Sequence, residues 1–304
     1  MPVDFQSLKT FDFDGANPHL WVFKDSSTSS RFRTFYVQTE GDLNSKLKEF
    51  VKKEVGRIIE HSPYTYISQN NENSCLTLDP SATDFASLKV LVDRLESEHR
   101  ISDSKDLKGA KGYVVKFTSN GTTVYAVKRS TSSWTTSYPK KYINMVFSNG
   151  ELSAVENDSF SIGKSFDFYV VGNTAFIANK RGFESAMKYR EEYVAAFSQL
   201  QQSPSFRSLF SDLSPIVEYI GNNSIQLRRM AVIEEKRIYN RPNFIQTLRR
   251  VNNARGWGIN FDDGNNTITP CSETVKVIMQ VLLDHRLMSE ITDNIYDVPD
   301  ATEI

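Results

Sequence analysis

The sequence predicts an α+β fold: an N-terminal antiparallel meander sheet with packed helices, followed by a mostly helical C-terminal region that holds a small β-hairpin. Three observations predict it. The dipeptides Asn120-Gly121, Asn149-Gly150 and Gly172-Asn173 each sit between runs rich in β-branched and aromatic residues, the signature of tight hairpins. Apolar residues recur at helical spacing on either side of those hairpins. With 304 residues the chain also exceeds the roughly 250 to 300 at which single cores stop growing, so two domains are expected, 1–202 and 203–304, meeting at Ser203-Pro204.

In chain order, Leu20 to Lys24 and Arg31 to Gln38 read as strands around the Ser-rich loop Asp25 to Ser30. Leu43, Leu47, Phe50, Val51, Val55 and Ile58 form one apolar stripe, which predicts a helix over 42–61 that Pro63 ends. A polar loop, Asn70 to Ser74, precedes a second helix that Thr83 or Asp84 caps and that buries Phe85, Leu88, Leu91, Val92 and Leu95. The hairpins follow as 113–117 with 123–129, 142–147 with 152–155, and 166–171 with 174–178, and three in succession imply a meander with the two helices on one face. A helix over 183–201 closes the domain, with Phe183, Met187, Tyr193 and Phe197 inward.

Beyond Ser203-Pro204 the spacing gives helices over 222–238 and 243–254, strands over 258–261 and 267–269, and a helix carrying Val275, Ile278, Val281 and Leu282. Helix, helix, hairpin, helix is a winged-helix-like order, one that many small α/β domains share.

Composition and motifs exclude several functions. Apolar residues make up 39 % and charged residues 24 % of the chain, near the globular average, which argues against wholesale disorder. The longest apolar runs, such as Phe168 to Val171, fall far short of the roughly 20 residues that cross a bilayer, and Met1 to Thr10 has no apolar core of signal-peptide length; a soluble, cytoplasmic protein is expected. Cys75 and Cys271 match no metal or redox spacing, so they read as thiols of a reducing compartment. The histidines His19, His61, His99 and His285 pair neither with one another at helical spacing nor with a cysteine, so no zinc site is expected. Gly256-Trp257-Gly258 precedes a strand where a phosphate loop needs a helix. Asp12 and Asp14, which alternate with Phe11 and Phe13, read together with Asp4 as an exposed strand edge or turn, not a metal cluster. No catalytic residue and no cofactor is assigned. The nearest approach to an active site is Glu234-Glu235-Lys236, which has the acid-x-Lys spacing of two-metal nucleases but falls in a helical pattern, where a solvated face of mixed charge is the ordinary explanation.

Charge placement says more. The net charge is −1, yet the segment from Asp103 to Lys141 holds Lys105, Lys108, Lys111, Lys116, Lys128, Arg129, Lys140 and Lys141 against only Asp103 and Asp106. From Arg228 to Arg255 the chain carries Arg228, Arg229, Lys236, Arg237, Arg241, Arg249, Arg250 and Arg255 against Glu234 and Glu235. The tail from Asp284 onward is acidic. Phosphate backbones respond to such local fields and not to the mean charge. Arginine suits bidentate phosphate contacts, and Trp134 and Tyr138, between the bases of the first cluster, suit base stacking. The bland reading is that these bases pair with the acidic tail or with a neighbouring subunit.

One segment carries a family resemblance. Phe166-Asp167-Phe168-Tyr169-Val170-Val171-Gly172-Asn173-Thr174-Ala175-Phe176-Ile177-Ala178-Asn179-Lys180, followed by Gly182-Phe183-Glu184, resembles the Kiwa anti-phage defence KwaB family. Its pattern is an Asp-bearing strand, a tight turn, a strand ending in Asn-Lys and a helix starting at Phe-Glu, in which Phe183 packs under the sheet. Weaker similarity runs through Asn223 to Met230 and Asp284 to Tyr296. The resemblance implies a cytoplasmic subunit that binds DNA, associates with the small membrane protein KwaA and restricts phage, and it transfers no catalytic residue. Together these readings give a homodimeric DNA-binding subunit, held peripherally at the inner membrane through its partner. Its phosphate contacts are Lys105, Lys108, Lys111, Lys128, Arg129, Lys140, Lys141, Arg228, Arg229, Lys236, Arg237, Arg249 and Arg250. The rivals are a metal-dependent nuclease and a non-enzymatic assembly protein.

Overall fold

A computed structural model of the chain describes residues 5–26, 32–78, 88–89, 92–93, 100–130, 145–154, 162–288 and 295–298. It is mixed α+β, and its residues divide into two compact units, 1–64 with 70–187, and 65–69 with 188–304.

The first unit is built on an eight-stranded sheet in the order β2-β1-β5-β6-β9-β10-β4-β3. These strands are β1 (Asn17–Asp25), β2 (Phe32–Val37), β3 (Glu60–Pro63), β4 (Ser74–Leu78), β5 (Gly112–Ser119), β6 (Thr122–Arg129), β9 (Phe168–Val171) and β10 (Thr174–Ile177). All neighbours pair antiparallel except β3 and β4. The β5–β6 turn has Asn120 and Gly121 both at positive φ, the backbone that matches the right-handed twist of the two strands. On one face lie α1 (Phe5–Lys9) and α2 (Gly41–Arg57), whose Leu8, Leu47, Val51 and Val55 meet Leu20, Val22, Val115, Phe117 and Val124. Side chains alternate across a strand, so Trp21, Phe23, Val114 and Phe168 point to the other face, and they are buried as well. There Phe183 of α3 (Lys180–Ala186) stacks edge-on against Phe168 at 5.0 Å.

Three expectations are corrected. The predicted meander is interrupted: β7 (Met145–Ser148) and β8 (Glu151–Ala154) form their own two-stranded sheet, and β6 pairs directly with β9. The helix predicted over 42–61 stops at Arg57, where the ammonium of Lys9 caps its last carbonyls, donating to Val55 and Ile58 at 2.8 and 2.7 Å; Glu60–Pro63 then forms β3. Pro63 is tolerated there because β3 is an edge strand, where a missing N–H costs no ladder bond. The helix predicted over 183–201 is two helices, α3 and α4 (Tyr189–Gln202), broken at Lys188, whose φ is 57°. The second predicted helix, around 83–100, lies largely outside the described residues, although its Leu88 and Val92 are buried as expected.

The second unit contains α4, α5 (Pro204–Arg207), α6 (Ser214–Ile220), α7 (Ser224–Lys236), α8 (Phe244–Arg255), the hairpin β11 (Asn260–Asp262) and β12 (Thr267–Thr269), α9 (Val275–Leu282), and the hairpin β13 (Arg286–Met288) and β14 (Ile295–Asp297). The turn at Ser203-Pro204 joins two of its helices. Helix, helix, hairpin, helix therefore stands as expected from α7 to α9. Asn223 caps α7, its Oδ1 accepting from the amides of Ile225 and Gln226 at 2.9 and 3.3 Å. Tyr66 packs edge-on against Tyr193 of α4 at 5.3 Å.

Candidate functional site

Asp167, just ahead of β9, is only 1 % exposed. A carboxylate in such a place is stable only if its oxygens are satisfied, and three groups do this. The ammonium of Lys128 donates to Oδ1 at 2.9 Å, the amide of Asn179 donates to Oδ1 at 3.0 Å, and the backbone N–H of Arg129 donates to Oδ2 at 2.6 Å. Its backbone is tied as tightly: its N–H reaches Val127, and its carbonyl accepts from Ala178 and Asn179. Asn179 also caps α3, accepting from the Gly182 amide at 3.1 Å. One carboxylate thus fixes β6, the β9–β10 hairpin and the start of α3 together. Burial raises its pKa from the ordinary carboxylate value, against the opposing pull of the Arg129 N–H and the Lys128 charge; desolvation wins.

Gly182 shows how closely this node is built, because a Cβ there would fall on the Asp167 carboxylate. Gly182→Ala is therefore expected to destabilise the fold by about 2–4 kcal/mol, in the range of overpacked and strained sites, measured as a lowered thermal midpoint; a midpoint unchanged from the wild type would show that the node can give way. At the far end of α3, Glu184 is buried, accepts from the Tyr64 hydroxyl at 3.1 Å and lies 3.9 Å from the Lys180 ammonium.

The node accounts for part of the first basic cluster. Lys128 faces it, Arg129 reaches it only through its backbone N–H, and the Arg129 guanidinium lies 3.8 Å from Asp25. Lys116 pairs with Asp93 at 3.0 Å. Lys105 and Lys108 are exposed, the first 3.8 Å from the exposed Asp103, and Lys111 is half-buried. Lys140, Lys141, Trp134 and Tyr138 lie outside the described residues.

In the second unit, Arg249 is held inward: it pairs with Asp263, donates to the Asp262 carbonyl at 3.2 Å and stacks over Phe261 at 4.6 Å. Arg228 lies over the Tyr193 ring at 5.7 Å. Arg229 is half-buried and donates to Gln226 at 3.2 Å; Arg237 pairs with Glu234. Lys236 is exposed and stands 3.5 Å from the Leu283 carbonyl. Arg241 and Arg250 are exposed and make no side-chain hydrogen bond or ion pair among the described residues.

Sequence reasoning missed Asp167 as the partner of Lys128. The signal was partial: an acid next to the apolar run Phe168 to Val171 is a candidate for burial and hence for pairing, but nothing local names its cation. Glu234, Glu235 and Lys236 lie on α7 as the helical pattern implied, and burial raises the Glu235 pKa. Among the described residues no group of three or more His, Cys, Asp or Glu side chains is placed to hold a metal ion. Cys75 is buried and its thiol is pushed up to about 12 by burial. Among the described residues no helix is long and apolar enough to cross a membrane.

Compared with known proteins, residues 107–292 match the model of the Kiwa protein KwaB-like family. Neither a curated protein nor a solved structure matches. The match spans the Asp167 node and the second basic cluster. The chain belongs to the KwaB-like family, and this makes it a component of Kiwa anti-phage defence.

Proposed function

We propose that this KwaB-like chain is the DNA-binding subunit of its defence system, and that it grips duplex phosphates without chemistry of its own. Family membership supports the setting. The observation that carries the binding is the surplus of arginine and lysine on α7, on α8 and in the link between them, where Arg241 and Arg250 stand exposed without a carboxylate partner among the described residues. Such side chains keep their full charge for a polyanion, and each phosphate they neutralise releases condensed counterions.

The phosphate contacts fall on Arg228, Arg229, Lys236, Arg237 and Arg250 of the second unit, joined by Arg241, and on Lys105, Lys108 and Lys111 of the first. Lys128, Arg129 and Arg249 already serve acids of the fold, so they position neighbouring bases more than they bind. Lys140 and Lys141 extend the first cluster in sequence. The protein acts as a homodimer and stays cytoplasmic, held at the inner membrane through KwaA.

A mobility-shift assay on a labelled duplex of about 30 base pairs at about 0.15 M salt, repeated with magnesium and with manganese, tests this reading. A retarded, intact duplex is expected under every condition. Cleavage that Glu234→Ala abolishes would replace it with a nuclease, and a duplex that is neither retarded nor cut would favour an assembly protein that docks on acidic protein or lipid surfaces.

A further inference from the structure

The outward side of α8 carries a second chemistry beyond a grip on phosphates. Leu248 and Asn252 are its two buried side chains. Asn252 clasps the chain ahead of β11, accepting from the Ile259 amide at 2.9 Å and donating to the Ile259 carbonyl at 3.1 Å. With Arg249 turned toward Asp263 and Phe261, this is the side by which α8 is anchored. A helix advances 100° per residue, so the opposite side falls on Arg250, flanked by Gln246 one turn before and Asn253 about one turn after. All three are exposed. Gln246 and Arg250 make no side-chain hydrogen bond among the described residues, and Asn253 takes only a 3.5 Å contact from Asn252.

These three residue types recognise bases. Arg fits the paired acceptors of guanine, and Gln and Asn fit the donor and acceptor that adenine presents in the major groove. Gln246 to Asn253 spans about 10 Å along the helix, about three base-pair steps at roughly 3.4 Å each, and a groove about 12 Å wide admits a helix. Charge agrees, because α8 contains no acid. The acids of the following hairpin are engaged: Asp263 pairs with Arg249, and Asp262 accepts from the Gly264 amide and the Asn265 side chain at 2.9 and 2.8 Å. On the edge of the same face Ala254 is small, which lets bases approach closely.

We propose that the outer face of α8 enters the major groove of duplex DNA and reads base edges through Gln246, Arg250 and Asn253. This rests on the DNA-binding reading above and adds sequence preference to it.

The test presents full-length protein with a pool of duplexes that carry a short randomised core, and sequences the bound fraction. Wild type is expected to enrich a short core containing guanine and adenine by at least about fivefold. Gln246→Ala combined with Asn253→Ala removes the adenine preference, and Arg250→Lys, which keeps the charge but loses the planar fork, weakens the guanine preference. The Gln246→Ala, Asn253→Ala variant, which changes no charge, keeps the wild-type salt dependence of binding to an unenriched duplex. A pool retained without enrichment overturns base reading and leaves the phosphate grip standing. Enrichment that survives both variants overturns the assignment to α8. A pool not retained by wild type at about 0.15 M salt overturns this proposal and the DNA-binding reading together.

Discussion

Asp167→Ala is expected to cost the fold about 3–5 kcal/mol, the penalty for stripping one partner from a buried ion pair. The loss has several parts. Lys128, with only 19 % of its side chain exposed, keeps its charge without a counter-ion, the Arg129 N–H and the Asn179 amide lose their acceptor, and α3 loses the fixed position of its cap. For a unit of this size the thermal midpoint should fall by roughly 6–20 °C, and calorimetry reads this directly. Pairing the change with Lys128→Met removes the stranded charge, so the double variant should recover part of the loss. A double variant no more stable than Asp167→Ala would place the cost in the hydrogen bonds and not in the charge.

The sign of the pH dependence follows from the same burial. The folded pKa of Asp167 is raised above the ordinary carboxylate value, so between those two values the folded state binds more protons than the unfolded one. The contribution of Asp167 to stability is therefore greatest below the ordinary value and declines as pH rises through the folded one. The stability gap between wild type and Asp167→Asn, followed by denaturant titration across that window, should narrow as pH rises.

Reversing charge at Arg229, Arg241 and Arg250 together, each to Glu, is expected to weaken duplex binding by at least about a hundredfold at about 0.15 M salt. These positions avoid the ion pairs that hold the fold. Arg249→Glu, by contrast, would face Asp263 with a like charge and lose the stacking on Phe261, confounding binding with stability. A companion variant, Lys105→Glu with Lys108→Glu, asks whether the first unit contributes; both residues are exposed, so its effect reports contact with DNA.

Much of the fold was legible because its signals are local. Asn120-Gly121 and Asn149-Gly150 fix their turns through positive φ, and Leu47, Val51 and Val55 fix the buried side of α2. What escaped depends on partners distant in sequence. β4 is buried along its middle three residues, so it shows no polar alternation, and five residues are too few to betray a period. The middle hairpin looks like its neighbours in sequence, and nothing local says that β6 will pair with β9 instead. Lys188 breaks a helical pattern at a residue type that rarely takes positive φ. The basic clusters were visible as composition, but the buried acid at 167 that claims Lys128, and Asp263 that claims Arg249, became assignable only from the tertiary contacts.

The most direct test of the central claim is the salt dependence of duplex affinity, followed by fluorescence anisotropy between about 0.05 and 0.2 M salt. For the wild type the logarithm of the binding constant should fall linearly with the logarithm of salt, with a slope of roughly −3 or steeper, about −0.9 for each neutralised phosphate. The Arg229, Arg241 and Arg250 variant should show a slope shallower by about three contacts' worth. A wild-type slope near zero, or identical slopes for the two proteins, would contradict phosphate gripping by the exposed arginines of the second unit.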